Sequence, residues 1–528
     1  MKFSRLISFV IIITFAFFCS LYGQISEGGT PWSFNISSKG PCQELMISQP
    51  SPDMLEKYDK VKGKMALPYP FAVVLPVNAS LSNSGTWQFT PEGNKIWRLK
   101  LRADNALVIG LYFKNFYLPG GARLFLYGKE GKNLIGAYTD RNNRESGMFA
   151  TELISGDEVT LELNLPFGLP EQPSFTIEKM DYGFRSVSFY RENNDYSGSG
   201  ECEVDINCVP EGDLWQEIKK GIVRIKVRVG SGAYWCSGSL INNTSFDLTP
   251  YVLTADHCAH QFTYATAEDL ENWIFYFNHE AMSCNSLQLA EGGFSMNGAV
   301  KIASGGNHGL TGSDFYLVEL MEDIPSMHNG NVYYNGWSRS SETSSSGVCI
   351  HHPGGDVKKI STYTTDLVSS SWQNNGVPSH WKVVWSETVN GWGVTEGGSS
   401  GSPLFDMEGR ILGTLTGGLA SCNALDQPDY YGKFSYHWES NGEADTLQLS
   451  PWLDPENTGT LFLDGQFYND TNQIPMEDRG FALKSNLTGD FLMLKFTDVQ
   501  KPHAEMIISN SSGQLIRKDD VNITGEDY

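Results

Sequence analysis

Along most of this chain apolar and polar residues alternate with a period of two, in short runs broken by Gly, Asn and Asp. That period belongs to half-buried β-strands, whose successive side chains point to opposite faces. In the first third, Ile96-Trp97-Arg98-Leu99-Lys100-Leu101, Ala106 to Phe113, Ala122 to Tyr127 and Val159 to Leu163 are runs of this kind. Further on, Ile222 to Val229 alternates cleanly, Tyr251-Val252-Leu253 is short and apolar, and Phe315 to Leu320 reads as a buried strand. Long helical periodicity is scarce and there is no regular strand–helix–strand alternation, so the chain is predicted to be all-β. A small sandwich suits the front; two β-barrels or a large sandwich suit the middle.

Breaks in the pattern divide the chain. Residues 1–24 place Lys2 and Arg5 before the apolar run Leu6 to Phe18, the shape of a secretory signal peptide; no membrane span is expected in the mature chain. The stretch Arg191 to Gly200 is polar and rich in Gly and Ser, an exposed boundary of the kind where proteolytic nicking concentrates. Asn469 to Gln473 is a second polar connector. The expected organisation is a signal peptide at 1–24, a β-rich propeptide or accessory domain at 25–195, the main domain at 196–465, a linker at 466–480 and a small β module at 481–528. Arg191 is the last basic residue before Lys219, so precursor cleavage is placed in the 180–200 segment.

Composition narrows the function. A formal charge of −23 argues against nucleic acid or an anionic membrane surface as partner. Cys19 leaves with the signal peptide, and of the eight remaining cysteines all but Cys42 fall between Cys202 and Cys422. In an exported protein this clustering reads as disulfides within one domain. No Cys-x-x-Cys or Cys/His spacing suggests zinc, and neither metal nor cofactor is expected.

The densest chemical signal is Gly397-Gly398-Ser399-Ser400-Gly401-Ser402-Pro403, a turn that exposes Ser400 between glycines. A serine hydroxyl becomes a useful nucleophile when a base takes its proton and N–H groups receive the developing charge. A flexible linker is the plain alternative, but this turn sits between apolar runs. Upstream, Leu253-Thr254-Ala255-Asp256-His257-Cys258 fixes a histidine beside a cysteine, and Ser313-Asp314-Phe315 opens a buried strand with an aspartate. The order His257, Asp314, Ser400 is one of the known orders of a Ser-His-Asp triad.

Together these motifs resemble the trypsin-like serine peptidases, and from Cys202 to Gly465 the chain is similar to the bacterial lysyl endopeptidases of that superfamily. The matching segments are Cys202 to Cys208, Cys236 to Thr244, Ser313-Asp314-Phe315, Ile350-His351-His352-Pro353, Val394 to Pro403 and Trp452-Leu453-Asp454-Pro455. The resemblance implies a chymotrypsin-like double β-barrel, an oxyanion hole at the N–H groups of Gly398 and Ser400, and the pairs Cys202–Cys422, Cys208–Cys284 and Cys236–Cys258. It places a lysine-binding carboxylate at Asp429, with Asp426 as rival, and a flanking tryptophan at Trp385. The histidine that stacks on that tryptophan in the family is replaced by Thr416, which loosens the expected choice between lysine and arginine. His351 and His352 match family residues but receive a packing role, and Cys349 a buried, inert one. Residues 25–195 are similar to propeptide regions of secreted Bacteroidetes-type peptidases, and the tail, with Gly513-Gln514, to a type IX secretion sorting domain without its closing strands.

The resulting expectation is a serine endopeptidase, exported by a Gram-negative bacterium to the medium or the outer cell surface, that acts as a monomer and cleaves peptides after lysine. Its expected partners are protein substrates, its own propeptide and the secretion machinery. An inactive homologue serving as a surface adhesion module is the alternative; an esterase is disfavoured because Ser402 stands where Gly-x-Ser-x-Gly needs glycine.

Overall fold

The computed structural model describes residues 26–36, 40–60, 68–185 and 198–468, together with the strands Phe481–Lys484, Met493–Phe496, His503–Ser509 and Leu515–Asn522. The signal peptide, the Arg191 cleavage segment, most of the linker and Gly513-Gln514 lie outside the described residues. The chain forms two compact units, one ending at Tyr468 and one running from Asn469 to Tyr528. In the second unit the four strands form two antiparallel pairs.

The first unit is built almost entirely from strands, as the two-residue period requires. A six-stranded sheet gathers three of the four front runs, with Glu158–Leu165 antiparallel to both Lys95–Arg102 and Arg123–Tyr127, while Val108–Tyr117 joins a twelve-stranded sheet. The period explains its core: Trp97, Leu99, Leu101, Leu161 and Leu163 are all buried on one side. Behind it lie two larger sheets, of twelve and ten strands, that curl into the barrels of a chymotrypsin-like fold. Ile222–Val229, Gly232–Leu240, Tyr251–Thr254, Ala299–Gly305 and Phe315–Leu320 belong to the first barrel. Gly347–His351, Lys359–Tyr363, His380–Val383, Pro403–Asp406, Arg410–Gly418 and Asp429–Lys433 belong to the second.

The twelve-stranded sheet crosses the boundary expected near residue 195. Tyr69–Ser80, from the front region, pairs antiparallel with Gly232–Leu240, register Tyr69 to Trp235 and Val73 to Gly232. Ile222–Val229 shows why. Its alternation should leave Arg224, Lys226 and Arg228 facing water, yet every residue of the strand is buried. Lys226 Nζ lies 2.8 Å from Asp181 Oδ2 with both side chains fully buried, and Tyr112 of the front region covers Lys226 and Arg228 with its ring face. Paired and capped in this way, buried cations are tolerable inside a fold.

Three disulfides brace the peptidase region: Cys202–Cys422, Cys208–Cys284 and Cys236–Cys258, separated in sequence by 220, 76 and 22 residues. In chain-entropy terms bridges over such loops contribute ~3 to 5 kcal/mol each, most for the longest. Cys42 and Cys349 are free thiols; burial pushes Cys349 up to about 12, so it stays a neutral packing group beside Ser402.

Candidate active site

The strand Tyr251–Thr254 ends in a tight 3-10 turn, Asp256–Ala259, which carries His257 at its second position. The Cys236–Cys258 bridge ties that turn to the neighbouring strand, so His257 has little freedom to move. Asp314 reaches it from the loop before Phe315–Leu320, in a left-handed conformation (φ 60°) that a short polar side chain tolerates. Both Asp314 oxygens are engaged by one residue: the His257 N–H donates to Oδ1 at 3.0 Å, and ring Nδ1 donates to Oδ2 at 2.8 Å. With Nδ1 holding the proton, Nε2 is the basic nitrogen; it is buried and has no hydrogen-bond partner among the described residues. Burial raises the Asp314 carboxyl, but the opposing charge and hydrogen bonds of His257 outweigh it and hold the group below its ordinary range.

Ser400 is brought to the same place from the second barrel. Its carbonyl accepts from Ser237 N at 2.8 Å and lies 3.7 Å from Cys258 Sγ, next to His257 in the chain. The turn before it is shaped by glycine: Gly398 has φ 102°, and a Cβ there would stand 2.8 Å from the His352 carbonyl oxygen. The Ser399 N–H donates to Glu396 O within the turn, and Ser237 Oγ donates to Gly398 O. The N–H groups of Gly398 and Ser400, by contrast, donate to no acceptor among the described residues. Two unengaged donors beside a serine suit an incoming oxyanion.

Asp429 opens the strand Asp429–Lys433 and is buried, whereas its rival Asp426 is exposed. One carboxylate oxygen accepts from Trp385 Nε1 and Thr395 Oγ1, both at 2.7 Å. Trp385 thus caps the carboxylate rather than only flanking it. Burial pushes Asp429 up to about 6 even against these bonds. Gly418, paired with Asp429 across the sheet, leaves the necessary room, because a Cβ there would fall 1.9 Å from Oδ1. Thr416 is buried, and His380, two strands away in the same sheet, places Nε2 3.0 Å from Thr416 Oγ1 and stacks on Trp372.

Several site residues were not visible in the sequence. Ser237 bonds Gly398 O through its hydroxyl, Ser400 O through its N–H, and accepts from His352 N, so one small residue joins the two barrels. Its place after Cys236 in a strand gave no sign of this. Ser313 is braced by His437 and Asn441 from around the short helix Phe434–Glu439, which fixes the approach of Asp314. Asp256, beside His257, accepts from His308 N at 3.3 Å, and burial with the charge of Asp314 pushes it up to about 7. The adjacent histidines separate as strand neighbours should: His352 bonds Asp356 O, while His351 turns to Ser399 and Ser361.

The loop that carries Ser400 lies beside the turn that holds the buried His257–Asp314 pair, and the protein is a serine endopeptidase. Residues 196–432 match the family described as "Lysyl endopeptidase, C-terminal domain". The chain is 29% identical over 368 residues to a lysyl endopeptidase of Pseudomonas aeruginosa, an alignment spanning 66% of this chain and 75% of that one. Among solved structures, a thermostable serine protease, AL20, from an extremophilic microorganism is 14% identical, with a TM-score of 0.30 over 41% of this chain and 91% of that chain. The protease Anisep of Arthrobacter nicotinovorans is 18% identical, with a TM-score of 0.29 over 40% and 90%.

Proposed function

We propose that the protein is an exported endopeptidase that hydrolyses peptide bonds on the carboxyl side of lysine through a Ser-His-Asp triad. The observation that carries this reading is the buried Asp314–His257 pair at 2.8 Å, in the turn whose next residue, Cys258, has its Sγ 3.7 Å from the Ser400 carbonyl oxygen. Ser400 attacks the scissile carbonyl; His257 Nε2 takes its proton and later gives it to the leaving amine; Asp314 holds the ring and stabilises the imidazolium. The oxyanion is received by the N–H groups of Gly398 and Ser400. Water then hydrolyses the acyl-enzyme with His257 as base.

Lysine selection is assigned to Asp429. A closed-in carboxylate whose burial disfavours its charge gains most from a cation that enters beside it, and a lysine side chain brings its ammonium on an apolar stem suited to the walls. The three disulfides suit an oxidising, extracellular compartment. Residues 25–195 serve as propeptide, with cleavage in the 180–200 segment near Arg191, and residues 481–528 as the secretion module. Two measurements test the whole: a fluorophosphonate probe should label the wild type and not Ser400→Ala, and cleavage of a mixed peptide library should concentrate after lysine. Cleavage spread evenly over residue types would reject the Asp429 assignment while leaving the triad in place.

A further inference from the structure

A closed set of hydrogen bonds lies beneath the nucleophile loop and is centred on His351. The Glu396 N–H donates to Ser399 Oγ at 3.1 Å, and His351 Nδ1 is 2.7 Å from the same oxygen. On the other side of the ring, Nε2 is 2.9 Å from Ser361 Oγ, and Ser361 Oγ donates to Val394 O at 3.1 Å. The donors can be assigned by elimination. Ser361 spends its proton on Val394, so Nε2 must donate to it; the neutral ring then has Nδ1 as its acceptor, and Ser399 Oγ donates to Nδ1 while accepting from Glu396 N–H. Burial, with the nearby charge of Lys359, pushes His351 down to about 3, and the ring stays neutral with one donor and one acceptor. The remaining neighbour, Glu203, has its carboxyl 3.7 Å from Nε2 and is held well above its ordinary range by burial and the charge of Glu396.

The two ends of this relay fall at Val394 and at Glu396 with Ser399, on both sides of Gly397-Gly398 and immediately before Ser400. A packing residue of the same shape would fill the space but would leave the Ser399 hydroxyl proton without its acceptor and Ser361 Oγ without its donor, at the cost of unsatisfied buried groups. We infer that His351 is a positioning residue that acts through Ser399: it clamps residues 394–399 so that the N–H groups of Gly398 and Ser400 keep their aim at the reacting carbonyl. The inference rests on the reading of Ser400 as nucleophile. A loop displaced by about 1 Å is enough to cost on the order of a hundredfold in rate; Thr395, a donor to Asp429, lies within the clamped segment, so the chemical step is isolated by the rate of fluorophosphonate labelling, which does not depend on Asp429.

The test compares wild type with His351→Phe, His351→Asn, Ser399→Ala and the double variant His351→Phe/Ser399→Ala, each expressed as the full chain. Readouts are kcat and KM on a lysyl peptide, the rate of fluorophosphonate labelling, and Tm. Clamping requires kcat and labelling to fall together by about 10- to 100-fold in His351→Phe and Ser399→Ala. His351→Asn, which keeps an acceptor for the Ser399 hydroxyl, should recover most of that loss. In the double variant, where both partners become apolar, Tm should return toward wild type while kcat stays low. If His351→Phe does not fold, Ser399→Ala carries the comparison. A folded Ser399→Ala or His351→Phe that keeps kcat and labelling within twofold of wild type overturns the inference and leaves His351 as packing. A wild-type chain that neither labels nor hydrolyses removes the Ser400 reading itself, and the clamp with it.

Discussion

Asp429 carries opposite demands in one carboxylate. Its pKa, pushed up to about 6 by burial, means that the carboxyl is neutral below that pH and charged above it. Only the charged form attracts an ammonium, so KM for lysyl substrates should rise as pH falls through about 6, while an uncharged P1 residue should show no such step. The stability effect has the opposite sign. A folded-state pKa above the unfolded one means that the folded chain holds this proton more tightly, so the stability Asp429 contributes is present at low pH and lost as pH rises through about 6. Asp429→Asn should therefore lose about a hundred- to ten-thousandfold in kcat/KM on lysine and yet unfold at higher denaturant than wild type at pH 8. A variant that lost lysine activity and stability together at that pH would contradict the account.

At the scale of elements, the glycines of the site are places where two backbones or a backbone and a carboxylate meet. Gly398→Ala must place a Cβ 2.8 Å from His352 O while holding φ 102°, so the nucleophile turn should open; kcat is expected to fall about a hundredfold or more, with little change in KM. Gly418→Ala instead presses on Asp429, 1.9 Å away, and should raise KM for lysine first. The contrast between a kcat defect and a KM defect, measured on one lysyl peptide, separates the loop from the pocket. What could be read from the sequence divides along similar lines. His257, Asp314 and Ser400 stood in short local motifs, because strand ends and tight turns confine those residues to a few neighbours in the chain. Ser237, His380 and the two serines around His351 did not, because their partners are 36 or more residues away, except for Ser361 at 10, and come from strands whose pairing only the fold supplies. Strand existence was legible from the period of two; which strands share a sheet was not.

At the scale of the whole molecule, the sharpest difference between pattern and fold is the strand Ile222–Val229, whose alternation reads as half-exposed and whose basic side is in fact covered by the front region. The covering residues are themselves matched to cations: Asp181 pairs with Lys226, and Tyr112 donates to Asp181 while facing Lys226 and Arg228. Such a surface differs from an ordinary core because its outward positions on the barrel are charged and remain compatible with water when uncovered, so uncovering this strand would expose charges rather than an apolar face. The strand Tyr69–Ser80 extends the same contact to the loop that carries Ser400: it pairs with Trp235 just before Cys236, and the Tyr69 ring lies against Gly397, where a Cβ would meet it at 2.8 Å. Removing the charge of Asp181 alone strands a buried ammonium, which typically costs about 3 to 5 kcal/mol. Asp181→Asn should therefore loosen the front region from the barrel, seen as faster hydrogen exchange along Tyr69–Val73 and Gly232–Trp235, and Lys226→Met in the same chain should restore part of the protection by removing the unpaired charge. If the single variant exchanged no faster than wild type over these strands, the ion pair would not be what holds the front region to the barrel.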